Sequence, residues 1–146
     1  MKVFVSSSWR NERQPEVVRA LQRAGHEVYD FRNPASGAAG FSWAELDPGW
    51  LSWTAARFRD SLDHLRVAEA FSLDMNALRA CEAVVMLQPA GRSAALELGW
   101  AAGAGKPTIV LLADGEPELM LKLADRFCLT VDEVIAALSE IAKGIS

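Results

Sequence analysis

The sequence predicts an α/β fold, a doubly wound, flavodoxin- or Rossmann-like sheet of five parallel strands in the order 2-1-3-4-5 with helices on both faces. Three observations carry this. The chain opens on Lys2 to Ser6, a β-branched and aromatic run that reads as the central strand. Two continuous apolar runs, Ala83-Val84-Val85-Met86-Leu87 and Thr108-Ile109-Val110-Leu111-Leu112, have the character of strands buried on both faces. Between them lies Gly91 to Pro107, a turn and a small-residue helix, which completes a βαβ unit with a right-handed crossover.

The other elements follow in order. Asn11 to Ala24 reads as the first helix, with Val17, Val18 and Leu21 at helical spacing, Pro15 in the first turn and Gly25 as the stop. His26 to Asp30 is the second strand; Asp30, at its carboxyl end, either touches a ligand or braces the loop. From Phe31 to Trp53 periodicity vanishes. Asn33-Pro34, Ser36-Gly37, Gly40 and Pro48-Gly49 are turn signals there, and Glu45 and Asp47 are expected to face solvent. Thr54 to Leu62 is a short helix. Leu65 to Arg79 is a longer one with Phe71, Met75 and Leu78 on its apolar stripe. Beyond the βαβ unit come a turn at Asp114-Gly115-Glu116-Pro117, a short helix from Glu118 to Ala124 and a brief edge strand, Phe127-Cys128-Leu129. Thr130 to Glu133 forms a capping box that opens the final helix, whose buried face is Val134, Ile135, Leu138 and Ile141. No linker or repeat interrupts the chain, so residues 1–146 are expected to form one domain.

Composition narrows the function. A net charge of -4 offers no basic surface for a nucleic acid polymer, although a mononucleotide needs only a few local donors. No apolar run is long enough to span a bilayer, and the start lacks a signal-peptide layout, so the expected compartment is the cytoplasm. Cys81 and Cys128 stand alone, without CxxC or histidine companions, and His26 and His64 are far apart. The cysteines read as small buried hydrophobes, and neither a metal nor another cofactor is expected.

Ligands of doubly wound sheets sit beyond the carboxyl ends of the strands. Arg92, Ser93 and Glu97 fall there, at the start of the crossover helix. Ser93 and Glu97 are four apart and share a helix face. Glu97 is flanked by Leu96, Leu98, Gly99 and Trp100, an odd setting for a carboxylate with only a solubilising duty; the plainer reading is an acid favoured by the helix dipole. It is not the acid of a capping box on Ser93, because Leu96 holds that offset. In the first βα loop, Ser6, Ser7, Ser8 and Arg10 suit a ribose or phosphate, or else one serine caps the helix and the rest are solvated. Trp43, Trp50 and Trp53 offer faces for a nucleobase, worth roughly 1–3 kcal/mol per base, or form a cluster that holds the loop down. Trp43, beside Phe41, is the candidate nearest the loop's centre.

Glu97-Leu98-Gly99 with Gly105-Lys106-Pro107, together with Asp74 and the opening Lys2 to Ser8, resembles the nucleoside 2-deoxyribosyltransferase-like superfamily. That group includes deoxynucleoside 5′-monophosphate N-glycosidases and is related in fold to Toll/interleukin-1 receptor-like domains. The resemblance covers most of the chain and is specific at the two glycine-containing motifs; the tryptophan-rich insertion between Phe41 and Phe58 departs from it. It implies that Glu97 is a nucleophile for the anomeric carbon and that Asp74 lies near base and sugar. It also implies a nucleoside or nucleotide substrate and a homo-oligomer in which neighbouring subunits complete the pocket. On this reading the reaction is cleavage or transfer of an N-glycosidic bond through a glycosyl-glutamate intermediate. The alternative is a Toll/interleukin-1 receptor-like module that senses nucleotides, self-associates or acts on NAD.

Overall fold

The computed structural model describes residues 1–34 and 39–144; the turn expected at Ser36-Gly37 lies outside them. Five parallel strands, β1 (Lys2–Ser6), β2 (Glu27–Asp30), β3 (Ala83–Leu87), β4 (Thr108–Leu111) and β5 (Arg126–Cys128), form one sheet in the order β2-β1-β3-β4-β5. The expected topology holds. Between the strands run α1 (Gln14–Arg23), α2 (Ala55–Ser61), α3 (Leu65–Ala80), α4 (Arg92–Gly103) and α5 (Val131–Ala142).

Strand alternation divides the interior into two layers. Val3, Val5, Val85, Leu87 and Ile109 pack on one face against Val17 and Leu21 of α1 and Val134 and Leu138 of α5. Phe4, Val84, Met86 and Val110 pack on the other against Leu78 of α3 and Ala94, Leu98 and Ala101 of α4. The small residues of α4 let it sit close to the sheet. Cys128 belongs to the first layer and Cys81 to the second, so the two free thiols lie on opposite sides of the sheet.

Element ends differ from the sequence reading for local reasons. The first helix starts at Gln14 rather than Asn11, because the Asn11 amide is occupied bracing Ser7 and the Pro89 carbonyl. The segment expected as a short helix at Glu118–Ala124 is a 3₁₀ turn over Leu119–Leu123, and β5 lies one residue earlier than expected. Thr130 caps α5 by accepting the Glu133 N–H, but the Glu133 carboxylate reaches back to the Leu129 N–H, one residue beyond the box. The full box is at Ser42 and Glu45, opening a 3₁₀ turn in the tryptophan loop. Glu45 is exposed as expected and Asp47 is half-exposed, and both also tie this loop together. Glu45 pairs with Arg66 of α3 at 2.9 Å, and Asp47 accepts from the Trp53 indole at 2.6 Å.

The Gly105-Lys106-Pro107 motif has a structural duty. Gly105 takes φ +71°, and Lys106 then donates from its ammonium to the Arg79 and Cys81 carbonyls at 2.9 and 2.7 Å, closing the end of α3. Lys106→Met removes both donors and is expected to cost about 1–2 kcal/mol. Urea unfolding should show a lower midpoint at unchanged slope.

Candidate active site

Ser6 is the last residue of β1 and shares a face with Phe4, so its side chain points under α4. It is fully buried. Its hydroxyl donates to the Glu97 carboxylate and lies 3.4 Å from the Ala94 carbonyl. Close approach there is possible because Ala94, at 0% exposure, has no bulk to hold the helix off the strand.

Tyr29 of β2 pairs in register with Phe4 and so projects into the same layer. Its ring stacks on Phe4 with centroids 5.1 Å apart, and its hydroxyl donates to Asp74 Oδ1 of α3 at 2.7 Å. Four elements therefore bring Ser6, Tyr29, Asp74 and Glu97 to one end of the sheet, beside the carboxyl ends of β1 and β2. Glu97 is partly buried, with no ion pair and no cation among the described residues to balance it.

Electrostatics follow from that. Burial pushes the Glu97 carboxyl up from 4.5 to about 7; the Ser6 hydrogen bond works against this and the Asp74 charge adds to it. Asp74 is raised by burial, opposed by the Tyr29 hydrogen bond. The Tyr29 phenol is raised by burial, then by the Asp74 hydrogen bond and the charges of Asp74, Glu97 and Asp30. Raised carboxyl groups with a hydroxyl donor on each suit acid–base and nucleophilic work at neutral pH.

The other expected site residues divide. Ser7 donates to the Leu87 carbonyl at 3.1 Å and joins the β1 and β3 loops. Ser8 accepts the Arg10 N–H at 3.2 Å, and none of the three serines caps α1. A Cβ on Gly91 would lie 3.9 Å from Ser8, so the loop carrying Arg10 abuts the start of α4. The side chains of Arg10, Arg92 and Ser93 are exposed and have no partner among the described residues. Ser93 is therefore not the group that orients Glu97; Ser6 is. Trp43 makes edge contacts with Phe41, Trp53 and Phe58 at 5.0–5.7 Å, an aromatic cluster that anchors the loop.

Two functional neighbours escaped the sequence reading. Tyr29 was legible only as a strand residue, although alternation from Phe4 and its place near the strand's carboxyl end were available signals. Arg32 lay in the aperiodic stretch, yet its guanidinium donates to the Ser8, Trp9 and Asn11 carbonyls at 2.9–3.0 Å and fixes the first βα loop. Asp30 braces rather than faces a ligand: it accepts from Gln14, the Arg32 N–H and Asn33. Two cavities of about 430 and 400 Å³ open at the β5 edge, around Phe127, and neither is lined by Glu97 or Asp74. Among the described residues no group of three or more histidine, cysteine, aspartate or glutamate side chains is placed to hold a metal, and no helix is long and apolar enough to cross a membrane.

Fold and site together define a class: doubly wound α/β domains that present a pair of carboxylates beside the carboxyl ends of the sheet's first strands. No family model and no curated protein matches the sequence. Solved structures do. A 2-deoxyribosyltransferase from Bacillus psychrosaccharolyticus is similar at TM-score 0.62 and 17% identity, over 92% of this chain and 90% of that one. A CMP N-glycosidase from Clostridium botulinum is similar at 0.55 and 17%, over 95% and 99%. A conserved protein from Enterococcus faecalis is similar at 0.60 and 11%, over 96% and 98%. These likenesses establish a shared fold along nearly the whole chain.

Since folded Glu97 holds its proton to about pH 7 and an unfolded one only to 4.5, its contribution to stability is complete below 4.5 and is lost as pH rises through 7. Glu97→Gln should remove that dependence and stabilise the protein at pH 8 by up to about 3 kcal/mol. Urea unfolding of both proteins at pH 5 and pH 8 measures it.

Proposed function

We propose that the protein cleaves or transfers the N-glycosidic bond of a nucleoside or nucleoside 5′-monophosphate, with Glu97 as nucleophile. The observation that carries this is a partly buried carboxylate, held by Ser6 with no cation among the described residues bonded to it, beside a second carboxylate near the carboxyl ends of the strands. The fold shared with a 2-deoxyribosyltransferase and a CMP N-glycosidase supports the same reading.

In this mechanism a Glu97 oxygen attacks the anomeric carbon, the carbon–nitrogen bond breaks, and the base departs with the bonding pair and gains a proton. Positive charge develops on the sugar ring in the transition state, where the two carboxylates stabilise it. Water or a second base then attacks the same carbon, the ester bond breaks, and the Glu97 carboxylate is restored. Asp74 contacts the base or a sugar hydroxyl. Tyr29 holds Oδ1, so that Oδ2 is the oxygen turned to substrate.

A 5′-phosphate is the favoured substrate feature. The donors that would receive it are Arg10 and Ser8 of the loop after β1, which abuts Gly91, and Arg92 with the N–H groups at the start of α4, which no side chain caps. A homo-oligomer also belongs to the proposal. Leu96 and Trp100, at 75% and 38% exposure, flank Glu97 on α4 and suit a neighbouring subunit; sedimentation velocity tests it.

Nucleosides, nucleoside monophosphates and NAD, incubated with the protein and chromatographed for free base, test the activity. Release from a nucleotide is expected, and Glu97→Gln should reduce it by about 10³-fold or more with folding retained. Release that survives this change refutes the assignment. The ratio kcat/KM should rise with pH and level off above about 7, as Glu97 ionises. Tyr29→Phe should lower kcat by about tenfold through Asp74 while leaving that limb near its place.

A further inference from the structure

Ser6 has one proton and two acceptors. Its hydroxyl meets the Glu97 carboxylate on one side and the Ala94 carbonyl, at 3.4 Å, on the other, and it is sealed from water. A serine hydroxyl donates once and accepts through its lone pairs. When Glu97 is ionised the proton belongs on the carboxylate, the stronger acceptor. When Glu97 carries a proton or an ester, its acceptor strength falls, and the Ala94 carbonyl becomes the competing partner.

We propose that Ser6 is a positioning residue whose single proton moves between Glu97 and the Ala94 carbonyl as Glu97 passes between carboxylate and ester. The inference rests on the reading of Glu97 as nucleophile. It adds that the second half of the reaction, in which Glu97 departs as a carboxylate, is assisted by the hydrogen bond that Ser6 regains. No atom is transferred from serine: its O–H bond stays intact and only rotates about Cβ–Oγ. Other groups facing Glu97 cannot take this part. Asp74 from α3 is anionic when ionised, and Tyr29 from β2 donates its proton to Asp74. No arginine, lysine or histidine bonds to Glu97 among the described residues.

Ser6→Ala tests this. With its donor gone, the Glu97 carboxylate loses stabilisation and holds its proton to higher pH. The acid limb of the pH–rate profile should move up by about one pH unit, so that the rate at pH 6.5 falls about tenfold while the loss above pH 8.5 is smaller. Ser6→Cys, a weak donor of similar size, should fall between the two. An equal loss at every pH means that Ser6 only fills space, and overturns the proposal. Carboxyl ¹³C NMR of glutamate-labelled protein, with the Glu97 signal assigned by its disappearance in Glu97→Gln, reads the same shift without substrate. A Glu97 midpoint unmoved by Ser6→Ala overturns the proposal even if activity changes. Should the unmutated protein release no base from any substrate, the proposed function fails, while the NMR titration still reports on the hydrogen bond between Ser6 and Glu97.

Discussion

Everything at the candidate site depends on a partly buried carboxylate with a hydroxyl and, among the described residues, no cation for company. A buried carboxylate is costly unless it is paired or hydrogen-bonded. Among the described residues Glu97 has only Ser6 as a hydrogen-bond partner, and it also feels the repulsion of Asp74. The fold tolerates this because the neighbouring parts are over-determined. Ser6 is locked as the last residue of a central strand, and α4 is drawn onto the sheet by Ala94, Leu98 and Ala101. A site with this much unfavourable electrostatics keeps its shape only where packing leaves it no other.

The loop walls are held by polar side chains that close both on backbone and on each other. Arg32 gathers three carbonyls of the first βα loop, Asn11 ties that loop to the end of β3, and Asp30 holds the start of α1 and the chain leaving β2. Gly40 then passes so close to Phe31 and Trp9 that a Cβ would collide with the Phe31 carbonyl oxygen and the Trp9 ring. The tryptophan loop is pinned at this end by that contact and at the other by its own rings and the Glu45–Arg66 pair. Among the described residues, Arg10, Arg92 and Ser93 are exposed and have no side-chain partner, which is why the proposed function gives them to a ligand.

The sheet was legible because its signals are strong and local. Val-, Ile- and Leu-rich runs of strand length separated by helical periodicity leave few topologies, and the order followed. Glu97 was legible as a candidate because of its odd apolar setting and the motif around it, and Asp74 through the family resemblance alone. Their partners were not. The pairing of Tyr29 with Asp74 spans 45 positions and that of Ser6 with Glu97 spans 91, and no local pattern encodes a contact made by sheet register and helix docking. Arg32 was hidden for a different reason: its role is to satisfy carbonyls, and every sequence has carbonyls. The Lys106 motif shows the reverse hazard, because a feature noted for its resemblance also closes the end of a helix.

Among the described residues no cation bonds to Glu97, and this bears on the reaction proposed for the site. An arginine or lysine beside Glu97 would stabilise the carboxylate in the resting protein, and that stabilisation would have to be surrendered as the carboxylate bonds to carbon. Catalysis gains only from interactions that are stronger in the transition state than before it. A substrate whose ring becomes positively charged as its bond breaks supplies the cation at that moment and no earlier. In the proposed reaction the two carboxylates, which repel one another when both are ionised, would then both be stabilised by one transient charge. On the proposed reading, a transition state that carries positive charge on the sugar ring is therefore the one this pair of carboxylates would stabilise most.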